Sequence, residues 1–100
     1  MIARRGHGRV PGTKAKEYLR LMETVGLPDY RSTEGNRGAW CLHRHDGDIV
    51  HVEMFTFWDD FEAIGCFAGD DLTKAKYYDF DSYFLLELET EVTHFDVIES

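Results

Sequence analysis

The chain has 100 residues, a formal charge of −8, and 43% hydrophobic and 14% aromatic residues. That length predicts one domain, residues 1–100, built on a single core and too small for a deep internal active site of its own. The acidic excess repels phosphate backbones, so no nucleic-acid partner is expected, and the composition is that of a globular rather than a disordered chain.

Ile2 to Val10 reads as a strand that Pro11-Gly12 breaks ahead of Thr13, the candidate N-cap of a helix. Ala15, Tyr18, Leu19, Met22 and Val25 form one apolar helical stripe, with Lys14, Lys16, Arg20 and Glu23 off it; Gly26 and Pro28 are expected to end the helix. The turn-rich segment from Asp29 to Gly38 reads as a loop, with Gly35-Asn36 suited to positive φ. Ala39 to His45 and Asp48 to Trp58 then flank Asp46-Gly47, a dipeptide that predicts a hairpin. Asp59 with Glu62 three residues on reads as a capping box for a second helix, whose buried stripe is Phe61, Ile64, Phe67 and Ala68 and whose stop is Gly69. A short helical piece is expected from Asp71 to Tyr78. Residues 79–90 read equally as helix or extended chain, and Val92 to Ile98 as a closing strand.

The order β-α-β-β-α-β is the ferredoxin-like arrangement of the α+β class, a sheet with helices on one face. In the third strand Ile49, His51, Glu53, Phe55 and Phe57 alternate with Val50, Val52, Met54, Thr56 and Trp58, so both faces carry large apolar groups. The face without helices would expose apolar area unless a second sheet covers it, and the natural source of that sheet is another copy of the chain.

Residues 1–44 carry nine basic and four acidic groups, and residues 45–100 two basic and fifteen acidic. The simplest account is that the two halves fold together and partly neutralise each other. Met1 to His7 lacks the apolar run of about 7–15 residues that a signal peptide needs, and no stretch approaches the about 20 that span a membrane. Cys41 and Cys66 make no CxxC motif and are expected to be reduced thiols in a cytoplasmic protein.

Four segments carry a family resemblance: Tyr30-Arg-Ser-Thr-Glu-Gly-Asn-Arg-Gly-Ala-Trp40, Phe57-Trp58-Asp-Asp-Phe-Glu-Ala63, Phe67-Ala-Gly-Asp70 and Val92-Thr-His-Phe95. Together, and over nearly the whole chain, they resemble the antibiotic biosynthesis monooxygenase-like proteins. The resemblance implies a homodimeric α+β barrel, in which two ferredoxin-like sheets pack face to face. It also implies a cofactor-independent monooxygenase in secondary metabolism, because members oxidise electron-rich aromatic polyketides without metal or flavin, the substrate itself activating dioxygen. In those oxygenases the Trp matching Trp58 lies near substrate, with an Asn four residues before it and a Tyr six after; Met54 and Ile64 stand there in this chain. Other members degrade haem with a Trp in the second helix and a His about ten residues later as iron ligand, and this chain has Phe67 and Tyr77 at those positions. Many members have no known activity.

His94 is the candidate general base. If Phe95 and Val97 pack on the helices, His94 points between the two sheets, where it would take a proton from a phenol or enol. Trp58 joins it as the second candidate catalytic residue. Trp40, Phe55, Phe67, Tyr77 and Tyr78 are the candidate lining of a pocket for a small aromatic ligand, although aromatics at these spacings serve equally as core. His43, His45 and His51 would meet on one hairpin face after a three-residue turn and not after a two-residue Asp46-Gly47 turn, so neither a metal nor a cofactor is expected. Two readings of different class follow: an oxygenase acting on a small aromatic or enolisable compound, and a dimeric ligand-binding or accessory protein without turnover.

Overall fold

A computed structural model describes residues 1–99 of the chain. Its elements are β1 (Ile2–Pro11), α1 (Gly12–Leu21) running through a π-helical turn (Met22–Gly26) into α2 (Leu27–Ser32), β2 (Asn36–Asp46), β3 (Ile49–Trp58), α3 (Phe61–Ala68), a single helical turn α4 (Asp81–Phe84), and β4 (Thr93–Asp96). The strands form one antiparallel sheet in the order β2-β3-β1-β4, which is the ferredoxin-like α+β arrangement.

The first helix departs from the sequence expectation at both ends. Thr13 is not its cap: β1 runs through Pro11, the helix starts at Gly12, and the Gly12 N–H donates to the Asp48 carbonyl at 2.7 Å. Gly26 and Pro28 do not end it either. The Leu27 N–H reaches back five residues to the Met22 carbonyl, and this widened turn passes the chain into Pro28, which has no N–H to give. The expected loop at Asp29 therefore begins as helix, and only the residues around Gly35, at φ +87°, turn the chain into β2.

The hairpin turn lies one residue later than expected. Asp46 pairs with Ile49, so the two turn residues are Gly47, at φ +60°, and Asp48. The cap of α3 is also one later: the Asp60 carboxylate accepts from the Ala63 N–H at 2.9 Å, while Asp59 pairs with Arg37 at 2.8 Å. Gly69, at φ +88°, ends α3 as its sequence position predicts. Residues 71–78 are not helical. Asp71 accepts from both the N–H and the hydroxyl of Thr73, and the backbone then pairs across to residues 90–92 through Ala75 N–H to Thr90 O and Val92 N–H to Thr73 O.

Two clusters make the core beneath the helices. One joins Val10, Ala15, Tyr18, Met22, Val50, Val52, Phe84 and Leu85; the other joins Ile2, Trp58, Ala63, Ile64 and Phe67. Each fully buried side chain of this kind contributes about 1.5–3 kcal/mol. The opposite sheet face has no helix. Trp40, Leu42 and Phe95 are 55%, 50% and 44% exposed on it, and Phe55 stacks on Phe95 with ring centres 6.3 Å apart.

The faces of the last strand are the reverse of the sequence expectation. The register sets Phe95 beside Ala3 and His94 beside Arg4. Arg4 lies on the helix side, since its neighbour Ile2 pairs with the buried Trp58. His94 therefore points toward the helices, and Phe95 toward the open face.

Candidate functional site

The cavity lies between the helix-side face of β1 and β3, the π-helical turn, and the segment from Ala75 to Leu85. Its sheet side exists because β1 carries Gly6 and Gly8 on that face, two successive inward positions without side chains. Leu85 closes over Gly8, to within 2.8 Å of where a Cβ would stand. Val52, Met54 and Met22 supply apolar walls, and Tyr18, Tyr30, Tyr77 and Tyr78 ring the space together with Arg4, Lys76 and Asp81. The cavity is partly open to solvent, and its volume is about 60 Å³. A cavity of about 150 Å³ accommodates benzene; this one takes a head group, with the rest of a ligand in its mouth or the 75–85 segment displaced.

Hydrogen bonds set the chemistry of the wall. The Tyr18 hydroxyl donates to Asp81 Oδ1 at 2.9 Å, and the Tyr78 N–H donates to Asp81 Oδ2 at 2.6 Å. Asp81 is 3% exposed; burial raises its carboxyl above the ordinary range, and those two donors pull the other way. Tyr78 donates its own hydroxyl to Asp29 at 2.6 Å, and Lys76 pairs with the same carboxylate at 3.1 Å. The Tyr77 hydroxyl donates to the Glu89 carbonyl. Burial raises all four phenols, Tyr30 to about 12 even with the Arg4 cation nearby, so each is a neutral donor at physiological pH. Arg4 is 3% exposed, and its guanidinium donates to the carbonyls of Leu72 at 2.7 Å and Lys74 at 2.9 Å.

The structure divides the residues singled out in the sequence among three places. Tyr77 and Tyr78 line the cavity. Trp58 and Phe67 do not: Trp58 is fully buried with its indole N–H on the Thr56 hydroxyl at 2.8 Å, and both rings back the cavity through Tyr30, which stacks on Phe67 at 4.2 Å. Trp40 and Phe55 stand on the open sheet face. His94 lies behind the cavity wall, its Nε2 3.3 Å from Arg4 Nη1 and its ring edge-on to Phe61; burial, then the Arg4 charge, lowers its pKa. His51 faces Arg44, not His43, so the hairpin histidines lie on opposite faces. Its partner is His7 instead, with His7 Nε2 2.9 Å from His51 Nδ1 and carboxylates of Glu89 and Asp46 at the two outer nitrogens. Among the described residues no group of three or more His, Cys, Asp or Glu is arranged to hold a metal ion.

Sequence reasoning missed Arg4, Tyr18, Tyr30 and Asp81 as site residues. A signal for two of the missed features was present: Arg4, Gly6 and Gly8 alternate, so a cation and a gap share one strand face.

No known protein-family profile matches this chain, and no curated protein does. Among solved structures the chain is similar to the structure of Rv0793 from Mycobacterium tuberculosis, with a TM-score of 0.66 and 17% identity over 99% of this chain and 96% of that one. At that identity the likeness is one of fold, and it joins the strand order in assigning the chain to the ferredoxin-like α+β class.

Proposed function

We propose that the protein is a cofactor-independent monooxygenase-like homodimer whose substrate, a small aromatic or enolisable compound, is held at the cavity between β1 and the π-helical turn. The observation that carries the reading is the cavity itself: two inward glycines keep side chains off one stretch of strand face, Leu85 covers Gly8, and room is left beside Gly6 with Arg4 and Tyr30 on the wall. The Arg4 guanidinium and the Tyr30 hydroxyl, unlike the Tyr18, Tyr77 and Tyr78 hydroxyls that already donate to protein oxygens, would favour the ionised form of an enol or phenol, the form that gives an electron to dioxygen. For an activated methylene the sum is CH2 + O2 → C=O + H2O, with carbon oxidised, one oxygen atom retained in the carbonyl and the other leaving as water. Trp58 and His94 would act by positioning, through the Tyr30–Phe67 stack and through Arg4.

Binding without turnover is the second reading, and one observation favours it: Asp81, the carboxylate that lines the cavity, already accepts from Tyr18 at one oxygen and from the Tyr78 N–H at the other, so a substrate proton would compete with both donors. Oxygen uptake decides between the two. With a dihydroxynaphthalene or a cyclic 1,3-diketone under air, the enzyme reading expects protein-dependent consumption that Gly6→Val, whose Cβ would meet only Val92 at 3.7 Å, abolishes by filling the cavity. Ligand recovered unaltered, with oxygen constant, rejects turnover and leaves binding.

The dimer is supported by the open face. Trp40, Leu42 and Phe95 are too exposed for an isolated sheet, and a second copy of the same face would cover them.

A further inference from the structure

One charge in the cavity wall has no counter-charge among the described residues. Buried guanidinium groups ordinarily meet a carboxylate, because taking a cation out of water without one costs several kcal/mol. Arg4 is 3% exposed, yet every ion pair among the described residues is made by other side chains. Its bonds fall on two backbone carbonyls and the His94 ring, two through Nη1 and one through Nη2; none falls on Nε. Asp81, the one carboxylate on the same cavity, already receives two hydrogen bonds from other donors. Tyr30, beside Arg4, has no hydrogen bond to its hydroxyl among the described residues. The Arg4 charge and two donors, its Nε–H and the Tyr30 O–H, are therefore without a protein partner among the described residues at this wall.

We propose that the cavity is an anion site built on Arg4, and that the compound it takes bears its negative charge on oxygen attached to a planar carbon: a carboxylate, a phenolate or an enolate. The size agrees, since about 60 Å³ admits such a head group but not an aromatic ring. Arg4 supplies the charge and an unengaged N–H, and the Tyr30 hydroxyl a second donor. The inference rests on the ligand-binding part of the function proposed above and is independent of turnover.

The test uses 4-nitrophenol, whose anion absorbs in the visible while the neutral phenol does not. Titrated with the intact protein, the bound phenol is expected to ionise about one pH unit or more below the free compound, which is a tenfold preference for the anion. Acetate should displace it, and acetamide, of the same shape without the charge, should not. The preference should vanish in Arg4→Met and survive in part in Arg4→Lys; should Arg4→Met fail to fold, Gly6→Val, which enters the cavity where a Cβ meets only Val92 at 3.7 Å and leaves the cation, is expected to abolish binding. Tighter binding of the neutral phenol, equal displacement by acetamide, or an anion preference untouched by Arg4→Met or by Gly6→Val would overturn the anion site. Failure of the oxygen-uptake experiment alongside a clear anion preference would reject turnover and leave the anion site standing.

Discussion

Replacing Tyr18 by Phe removes one hydroxyl and leaves Asp81 Oδ1 buried without its donor. The hydroxyl lies 2.9 Å from that oxygen, and Asp81 is 3% exposed, so water cannot readily take its place. A hydrogen bond to a charged group contributes about 1.5–3 kcal/mol, which sets the expected loss near about 2 kcal/mol at pH 7. For a domain of this length that corresponds to a fall in Tm of about 8–16 °C. The sign with pH is fixed by linkage. Burial already raises Asp81 in the folded protein, and Tyr18 is one of the groups that hold it down. A carboxyl raised on folding contributes stability below its unfolded pKa and loses it as pH rises through the folded value. Removing Tyr18 raises the folded value further, so the variant falls behind the parent as pH rises and draws closer to it in acid. Thermal unfolding by circular dichroism at pH 7 and at about pH 4 measures both. A deficit that is the same at the two pH values, or larger in acid, would refute the assignment of Tyr18 as the donor that stabilises an ionised Asp81.

Two glycines separate backbone strain from steric overlap. Gly35 and Gly69 share φ near +87°, but a Cβ at Gly35 would stand 2.4 Å from the Ala63 Cβ, and one at Gly69 has nothing within 4 Å. Gly69→Ala should cost about 1–3 kcal/mol for the backbone alone, since φ +88° with ψ −164° is a region essentially reserved for glycine, and Gly35→Ala about 2 kcal/mol more, since α3 itself must shift; urea midpoints at unchanged slope would show it, and equal costs would reject the close approach. Phe95→Glu, at the β4 end of the aromatic row Trp40–Phe57–Phe55–Phe95 on the open face, is expected to convert a dimer to monomer in sedimentation with the fold retained by circular dichroism; an unaffected assembly would remove that face as the interface.

Much of the framework was legible without coordinates. The alternation along β3 marks two apolar faces, Gly69 marks the end of α3, and Tyr18 and Met22 mark the buried stripe of α1, because each follows from the period of a single element. The order of elements is enough to name the ferredoxin-like class. What single-element periodicity cannot supply is registration. The hairpin turn and the α3 cap each lie one residue beyond the expected position; because the turn keeps two residues, His51 moves from facing Leu42 to facing Arg44 and stays on the face opposite His43 and His45. The reversal of His94 and Phe95 has the same origin, for the face of β4 is set by which residue pairs with Arg4.

The site itself belongs almost entirely to the tertiary structure. Arg4 reads in the sequence as one of several surface cations, and Asp81 as part of a segment with no clear element; both become buried only when residues 70–92 fold over the sheet edge and bring Leu72, Lys74 and Leu85 against β1. The residues that meet across this cavity lie up to 88 positions apart, as Arg4 and Val92 do. Local propensity acts over a helical turn or a strand pair, and it carries no information about which distant carbonyls a buried guanidinium will find. The sequence by itself determined the order of the main strands and helices and the two apolar faces of β3; packing between elements decided the register, the faces of β4, the non-helical path of residues 71–78, and with them which charges are buried and which are left without a partner.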